Sequence, residues 1–156
     1  MKRAHDDDRT ETPCSIARTL EVVGDKWTLL ILREAAVEGM TRFAEFKERL
    51  GIAPDLLSTR LGALVDSGVM VKQPYREPGS RTRFSYHLTP AGEELRLILA
   101  ALQQWGDENR PRAVGPSMVR RSVDQGRPIR VAFVDDTGTA VPMDSVKFLR
   151  TASYPS

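Results

Sequence analysis

The spacing of apolar residues predicts which parts of the chain are helical. Between residues 12 and 68, apolar side chains recur at every third or fourth position, as in "SIARTLEVV" and "LLSTRLGALV". That period is typical of a helix with one buried face. The predicted helices are 12–24, 26–39, 41–51 and 54–68, and Asp25 precedes the second as its cap.

Residues that favour helix ends lie at the boundaries of these segments. Thr12, Asp25 and Thr41 can each accept a hydrogen bond from the free N–H groups at a helix start. Pro54 suits the first position of the fourth helix. The third and fourth helices are joined only by "GIA", which is as tight a turn as a helix-turn-helix requires.

The apolar period falls to two in "VMVKQPYREPGSRTRFSYHL", residues 69–88. This alternation predicts two strands, and Pro78 with Gly79 predicts the turn between them. The second strand has one mostly aromatic side, expected to close the core, and one polar side. The mostly aromatic side carries Phe84, Tyr86 and Leu88. The polar side carries Arg83, Ser85 and His87.

The chain beyond residue 88 predicts a long helix and then an extension. Thr89 and Pro90 begin the helix, whose apolar surface is wider than one contact requires. Prolines interrupt the following stretch, and a hairpin around residues 136–138 comes after it. The sequence thus predicts a mainly α fold with a small amount of β. Its expected regions are a disordered arm 1–11, a helical domain 12–109, a linker 110–127 and a C-terminal β-hairpin extension 128–156.

Composition narrows the classes of function. The chain has 156 residues, of which 40% are hydrophobic and 28% charged, enough for one domain with an appendage. No apolar run approaches the roughly 20 residues of a membrane span. The polar N-terminus lacks the apolar core of a signal peptide, so we expect a cytoplasmic protein. A net charge of only +2 makes the location of the basic residues more informative than their sum.

Residues suited to catalysis or metal binding are few. Cys14 is the single cysteine, and His5 and His87 are the two histidines. One thiol excludes an intramolecular disulfide and a cysteine-rich zinc site within one chain. No nucleophile–base pair or phosphate-binding loop is visible. We therefore expect neither enzymatic activity nor a metal or cofactor.

The order of four helices, hairpin and long helix is that of a winged helix-turn-helix. In this fold the second helix of the pair enters the DNA major groove, and the hairpin, or wing, contacts the adjacent backbone. Arg76, Arg81 and Arg83 surround the predicted wing turn. We expect them to meet phosphates; the alternative is an ordinary polar hairpin tip.

Three separated motifs carry a family resemblance: "CSIARTLEVVGDKWTLLILREA", "FAEFKERLGIAPDLLSTRLGALVDSGVM" and "FSYHLTPAG". Together they resemble the HxlR-type transcriptional regulators, relatives of the MarR regulators. The resemblance implies a dimeric bacterial protein that binds double-stranded DNA and, as in many members, responds to small electrophiles, oxidants or metabolites. It also implies a dimer interface of the N-terminal and post-wing helices. The candidates on the post-wing helix are Leu95, Leu99, Leu102 and Trp105.

By the same resemblance, Ser58, Thr59 and Arg60 match the family's groove-facing positions. Hydroxyl groups bond bases or phosphates, and arginine reads guanine. The alternative is that the hydroxyls are merely solvated. The sequence departs from the family at Ala53, where a capping serine is common, and at Asp55, where a lysine is common. These departures affect the expected affinity and operator, not the fold.

Cys14 matches the cysteine that opens the first helix in the family. A thiol at a helix start meets free N–H groups and the positive end of the helix dipole, which stabilise the thiolate. The sequence therefore makes Cys14 a candidate redox or electrophile sensor; the alternative is a small buried apolar residue. Trp27 and Trp105 either pack in the core or dimer interface, or line an effector pocket.

These observations predict a homodimeric transcriptional regulator on a pseudo-palindromic operator. Its recognition helices would lie in successive major grooves about 34–36 Å apart. A small molecule or oxidant would shift the dimer between geometries. The alternative is a winged helix used only for protein interaction. Asp55 and Gly62, both in the predicted recognition helix, slightly favour this alternative.

Overall fold

The computed structural model describes residues 13–152 and 154. The predicted disordered arm 1–11 and the predicted cap Thr12 lie outside them. The described residues form a mainly helical fold with two small antiparallel sheets, as predicted. The elements are α1 Ser15–Val23, α2 Lys26–Glu38, α3 Phe43–Leu50, α4 Pro54–Asp66, β1 Met70–Tyr75, β2 Arg83–Leu88, α5 Pro90–Glu94, α6 Arg96–Asn109, β3 Phe133–Val134 and β4 Ala140–Val141, followed by a 3-10 turn at Met143–Ser145.

Asp25 starts α2 as predicted. Its carboxylate Oδ1 accepts hydrogen bonds from the backbone N–H groups of Trp27 at 2.9 Å and Thr28 at 3.3 Å. Two of the N–H groups that have no partner within the helix are thereby satisfied. The helix ends at Gly39, whose φ of 69° is a left-handed conformation that glycine adopts without strain.

The prediction that Thr41 caps α3 is wrong. The helix begins after Arg42, and the carboxylate Oε2 of Glu45 accepts from the N–H groups of Thr41 at 3.0 Å and Arg42 at 2.9 Å. The Thr41 carbonyl instead accepts the Tyr86 N–H of β2 at 2.7 Å. The capping carboxylate therefore comes from inside the helix, and the residue before the helix pairs with the wing.

The single long helix predicted after Thr89 is divided at Leu95. Thr89 caps α5 as predicted, since its Oγ1 accepts from the Gly92 N–H at 3.2 Å. The Leu95 N–H then bonds to the Gly92 carbonyl at 3.2 Å, a tighter turn that separates α5 from α6. A Cβ at Gly92 would lie 2.2 Å from the Val69 carbonyl oxygen, so only glycine permits this approach to the residue preceding β1.

A single core lies beneath α2, α3, α4 and the wing. Tyr86 closes it from β2, as predicted, and is 9% exposed. Phe84, predicted on the same side, is instead exposed, because the wing extends past the helices at that point; the Lys72 ammonium lies 4.0 Å from its ring centroid. The least exposed core residues are Ile31, Leu32, Phe46, Leu57, Leu61, Leu64 and Met70.

The C-terminal hairpin forms, but with strands of two residues each. Asp135 organises its turn: its Oδ1 accepts from the Thr137 hydroxyl and N–H and from the Thr139 N–H. These bonds, chiefly that of the Thr137 hydroxyl, hold the pKa of the Asp135 carboxyl below its usual value. Ile129 lies outside the two strands, and residues 146–149 form no strand.

Two glutamines of α6 contact the segment that follows it. The Gln103 amide donates to the Met118 carbonyl at 2.7 Å. The Gln104 amide makes two bonds to the Val131 backbone, donating to its carbonyl at 3.0 Å and accepting from its N–H at 2.9 Å. The predicted linker 110–127 is thus joined to α6 by hydrogen bonds, while the division of the chain into domains stays a prediction.

Candidate nucleic-acid interface

The turn between α3 and α4 sets the orientation of α4. Gly51 ends α3 with a φ of 61°, and its N–H bonds to the Lys47 carbonyl at 3.0 Å. Ile52, in the turn, is 3% exposed and holds the turn against the core. Because Leu57, Leu61 and Leu64 face inward, the opposite side of α4 faces away from the protein.

The outward side of α4 carries the predicted hydroxyl groups. Ser58 and Thr59 are both exposed. The Thr59 hydroxyl donates to the Asp55 carbonyl at 2.9 Å, which leaves its oxygen free to accept a further bond. Gly62 is half-buried, and Ala63, four residues after Thr59, is exposed. This surface is therefore small and polar, and its contact with DNA stays a prediction.

Arg60 lies on the flank of α4, and its end is held by another helix. Its NH2 group donates to Asp25 Oδ2 at 3.0 Å, so one aspartate both starts α2 and pairs with α4. The Arg60 Nε atom is buried without a hydrogen-bond partner among the described residues. Arg60 would have to leave Asp25 in order to read a base, so the structure gives it a positioning role in the free protein.

The N-terminus of α4 has no side-chain cap. Ala53 occupies the capping position, as the sequence indicated, and makes no side-chain bond to the first turn. Free N–H groups at a helix start form a natural anion site. Asp55 lies in the same turn, where its charge complements the helix dipole but opposes an approaching phosphate.

The predicted wing arginines are exposed around the hairpin turn. Arg76 donates from Nε to the Ser80 carbonyl at 2.9 Å, which fixes its side chain across the turn. Arg81 and Arg83 form no ion pair with any residue in 13–152 or with residue 154. Their charge is therefore available to an outside anion. Gly79 permits the turn with a φ of 75°.

Contacts between the wing and the start of α3 fix the distance between the wing and α4. Arg42 forms an antiparallel bridge with Ser85 of β2, next to the bond between Thr41 and Tyr86. The Arg42 side chain also pairs with Glu77 of the wing turn at 3.0 Å. This pair neutralises an acidic residue beside the wing arginines.

A buried carboxylate joins α2 to α3, and sequence reasoning missed it. Glu34 is 1% exposed, and its Oε1 accepts from the guanidinium of Arg33. Its Oε2 lies 3.5 Å from Nε of Arg49, near the end of α3. Glu34 follows Ile31 by three positions and so occupies a core-facing site. A glutamate on the apolar face of the predicted helix was the feature of the sequence that could have revealed this buried carboxylate.

The predicted dimer residues divide into two pairs. Leu95 and Leu99 are half-buried and pack against the core of their own protomer. Leu102 and Trp105 are 51% and 59% exposed. Further exposed apolar residues on α6 and α1 are Leu97, Ile98, Ile16 and Leu20.

The two tryptophans lie in different environments. Trp27 is half-buried and packs against the core, with the Lys26 ammonium 4.8 Å from the centroid of its ring. Trp105 is exposed on α6. A groove of about 330 Å³ between α1 and α5 is lined by neither of them. A shared role in an effector pocket stays a prediction.

Cys14 occupies the N-cap position of α1, one residue before the first turn. The backbone N–H of Ala17 is the main cause that holds the pKa of the Cys14 thiol below its ordinary value. Smaller contributions come from the Ile16 N–H, the Tyr154 hydroxyl and the charge of Arg18. The sequence pointed to the helix start but not to Tyr154, which lies far away along the chain.

We expect alkylation of Cys14 by iodoacetamide to titrate at lower pH in the native protein than in the urea-unfolded chain. The lowered pKa gives more thiolate at a given pH, and the single cysteine gives one rate to follow. Tyr154→Phe removes one donor and should raise the midpoint, whereas Tyr75→Phe should not. Equal midpoints in folded and unfolded protein would contradict the stabilised thiolate.

Within 13–152 and 154, no group of three His, Cys, Asp or Glu side chains is arranged to hold a metal ion. Over this same range, no helix combines the length and the apolar character that crossing a membrane requires.

A helix pair that exposes its second helix, next to a hairpin fixed against the first, defines a winged helix-turn-helix protein. The model of the HxlR-like helix-turn-helix family matches residues 22–114, more than half of the chain. The chain therefore belongs to this family, as the sequence motifs indicated.

Individual relatives agree with this assignment. Over 107 residues, 69% of this chain, the protein is 45% identical to a helix-turn-helix-type transcriptional regulator of Mycobacterium tuberculosis. The alignment spans 66% of that relative, just under two thirds of its length. The solved structure of PA1607, a candidate transcription factor, has a TM-score of 0.77 and 34% identity, with 91% of this chain and 98% of that chain covered. The redox regulator HypR, in its reduced form, has a TM-score of 0.55 and 28% identity, with 62% and 94% covered.

Proposed function

We propose that this protein is a DNA-binding transcriptional regulator that acts as a homodimer on a pseudo-palindromic operator. The observation that carries the proposal is an outward polar face on α4 next to wing arginines that form no ion pair with any described residue. Ser58 and Thr59 would meet base edges or phosphates, and Arg81 and Arg83 would meet the phosphate backbone. The contacts of Arg42 hold these two surfaces in one geometry.

The homodimer would form through α6 together with α1. Leu102 and Trp105 present an apolar surface on α6, and Ile16 and Leu20 present another on α1. Exposed apolar patches of this kind mark interaction sites. A two-fold axis between the protomers would place the two α4 helices in successive major grooves, so the operator would have two-fold symmetry. The protein would act in the cytoplasm, where such an operator lies.

Cys14 would make binding responsive to an oxidant or electrophile. Its thiol lies at the start of α1, next to the exposed Ile16, and its pKa is lowered by hydrogen bonds. Oxidation or alkylation there would change the end of a helix that contributes to the dimer. The similarity to HypR, which is named a redox regulator, supports this role.

Selection of bound sequences from random DNA tests the function. We expect enrichment of an inverted repeat whose half-site centres lie about 10 base pairs, or one helical turn, apart. Repeating the selection with oxidised protein, and with Cys14→Ser as the control, tests the thiol. Recovery of no enriched sequence by reduced protein at low salt would contradict the proposal. It would favour the alternative, a module for protein interaction.

A further inference from the structure

A second cavity lies outside the winged helix-turn-helix, where the end of α6 meets the segment that follows it. Its volume is about 280 Å³. Most of its wall lies beyond residue 114, where the match to the family model ends.

Arg120 in this wall carries a charge that no carboxylate of the described residues balances. Its NH1 group donates to Gln103 Oε1 at 2.8 Å, and its NH2 group approaches Gln104 Oε1 at 3.4 Å. Both partners are neutral amides. The Nε atom is buried and has no hydrogen-bond partner within 13–152 or at 154. A buried donor without a partner is unfavourable, and a cationic one more so.

The other charged residues of the wall are Arg112 and Asp107. Neither forms an ion pair with another lining residue among those described. Two guanidinium groups and one carboxylate leave an excess of one positive charge. A monoanion would balance that excess, whereas a dianion would leave the site with a net negative charge.

The rest of the wall is apolar, formed by proline rings and the side chains of Met118, Val119 and Ile129. Small-molecule sites typically occupy about 300–1,000 Å³ and combine apolar walls with a few placed polar groups. A volume near the lower end of that range suits a molecule with one ring or one branched chain. The cavity thus has the size, polarity and charge of a site for a small amphipathic acid.

We propose that this cavity binds a small monocarboxylate with an apolar body. The carboxylate accepts from the Arg120 guanidinium, and Arg112 adds charge at the rim. The apolar body contacts Met118, Val119 and Ile129. A charge-assisted bond to a planar guanidinium distinguishes this ligand from its neutral amide.

The site is connected to the proposed dimer surface. Gln103 and Gln104, which hold Arg120, lie on α6 between the exposed Leu102 and Trp105. A carboxylate on Arg120 would compete with these amides and so change contacts of α6. Calling the ligand an effector rests on the proposed function; its binding to the cavity does not.

The test is a titration of the ¹⁵N-labelled full-length protein with phenylacetate, benzoate and isovalerate, each compared with its neutral amide. The Arg120 Nε–H resonance reports on the guanidinium group that is proposed to bind the carboxylate. We expect at least one acid to shift it saturably, and the matching amide to bind about tenfold more weakly. The proposal is overturned if no acid produces a saturable shift, or if the amide binds equally well.

Variants of the two arginines test the site further. Arg120→Gln should weaken binding by about tenfold or more, and Arg112→Gln by a smaller factor. Arg127→Gln, at an exposed arginine outside the wall, should bind as the unchanged protein does. Melting temperatures show whether the Arg120→Gln variant still folds. If it does not, the Arg112→Gln variant provides the test. An acid affinity of Arg112→Gln equal to that of Arg127→Gln would then count against the site.

DNA affinity measured with and without the bound acid separates the two proposals. A change in operator affinity makes the acid an effector. Binding of the acid without such a change leaves the site standing and removes its regulatory role. Because the titration uses free protein, a failure to bind DNA would leave its result intact.

Discussion

Replacing Arg81 and Arg83 together by alanine is expected to weaken DNA binding by roughly 100-fold at moderate salt. Each arginine is exposed and unpaired among the described residues, so each can neutralise one phosphate. A charge-assisted bond contributes about 1.5–3 kcal/mol, or about tenfold or more for each side chain. Fluorescence anisotropy with a labelled operator measures the change.

The salt dependence of the same variant identifies the contact. Each phosphate neutralised by the protein contributes about −0.9 to the slope of log affinity against log salt concentration. Loss of two contacts should therefore reduce the slope by about two. A loss of affinity with an unchanged slope would indicate a disturbed wing instead of lost phosphate contacts.

Arg110 and Arg127 provide the matched control. Both are exposed arginines in or beside the segment after α6, so their double alanine variant removes the same charge from another surface. We expect it to change DNA affinity much less than the wing variant does. Equal effects would mean that net charge alone matters. No effect of the wing variant would favour the protein-interaction alternative.

Phe46→Ala is expected to lower the free energy of unfolding by about 3–5 kcal/mol. The Phe46 ring is 0% exposed and lies in the core shared by α3 and α4. Removing it loses the free energy of burial and leaves a cavity that the surrounding leucines fill only in part. Urea unfolding monitored by circular dichroism measures the change. DNA binding should weaken with it, because α4 loses its support.

Phe148→Ala makes the same chemical change on the surface. This ring is 85% exposed, and its aromatic contact is with Phe133, at a centroid distance of 6.5 Å. We expect a loss of about 1 kcal/mol or less. A loss at Phe148 as large as that at Phe46 would show that the C-terminal extension shares the main core.

The helices and the wing could be predicted because local physics determines them. The α4 segment carries leucines at helical spacing behind Pro54, and the structure places Leu57, Leu61 and Leu64 inward. The strand alternation and the Pro78–Gly79 turn were equally local signals, and the hairpin formed as predicted. Helix boundaries are less predictable from the sequence: the hydroxyl of Thr41 suits a cap, but Glu45 caps α3 and the Thr41 carbonyl pairs with β2.

The candidate site was only partly visible in the sequence. Exposure of Ser58, Thr59 and the wing arginines follows from the helical and strand periods alone. The ion pair between Arg60 and Asp25 joins residues 35 positions apart, and no local pattern contains it. Tyr154 beside Cys14 is a still more distant pairing along the chain. Contact of Ser58, Thr59 and the wing arginines with DNA stays a prediction. A response of Cys14 to oxidants also stays a prediction.

The sequence by itself determined the order of the elements, the apolar face of each helix and the family. Hydrophobic periodicity and turn residues act over a few positions, so they can be read without coordinates. The tertiary structure alone decided which charges are paired and which are left for a partner. Among the described residues, the structure pairs Arg60 with Asp25, leaves Arg81 without an ion pair and leaves the buried Nε of Arg120 without a hydrogen-bond partner, because electrostatic partners are chosen by distance in space.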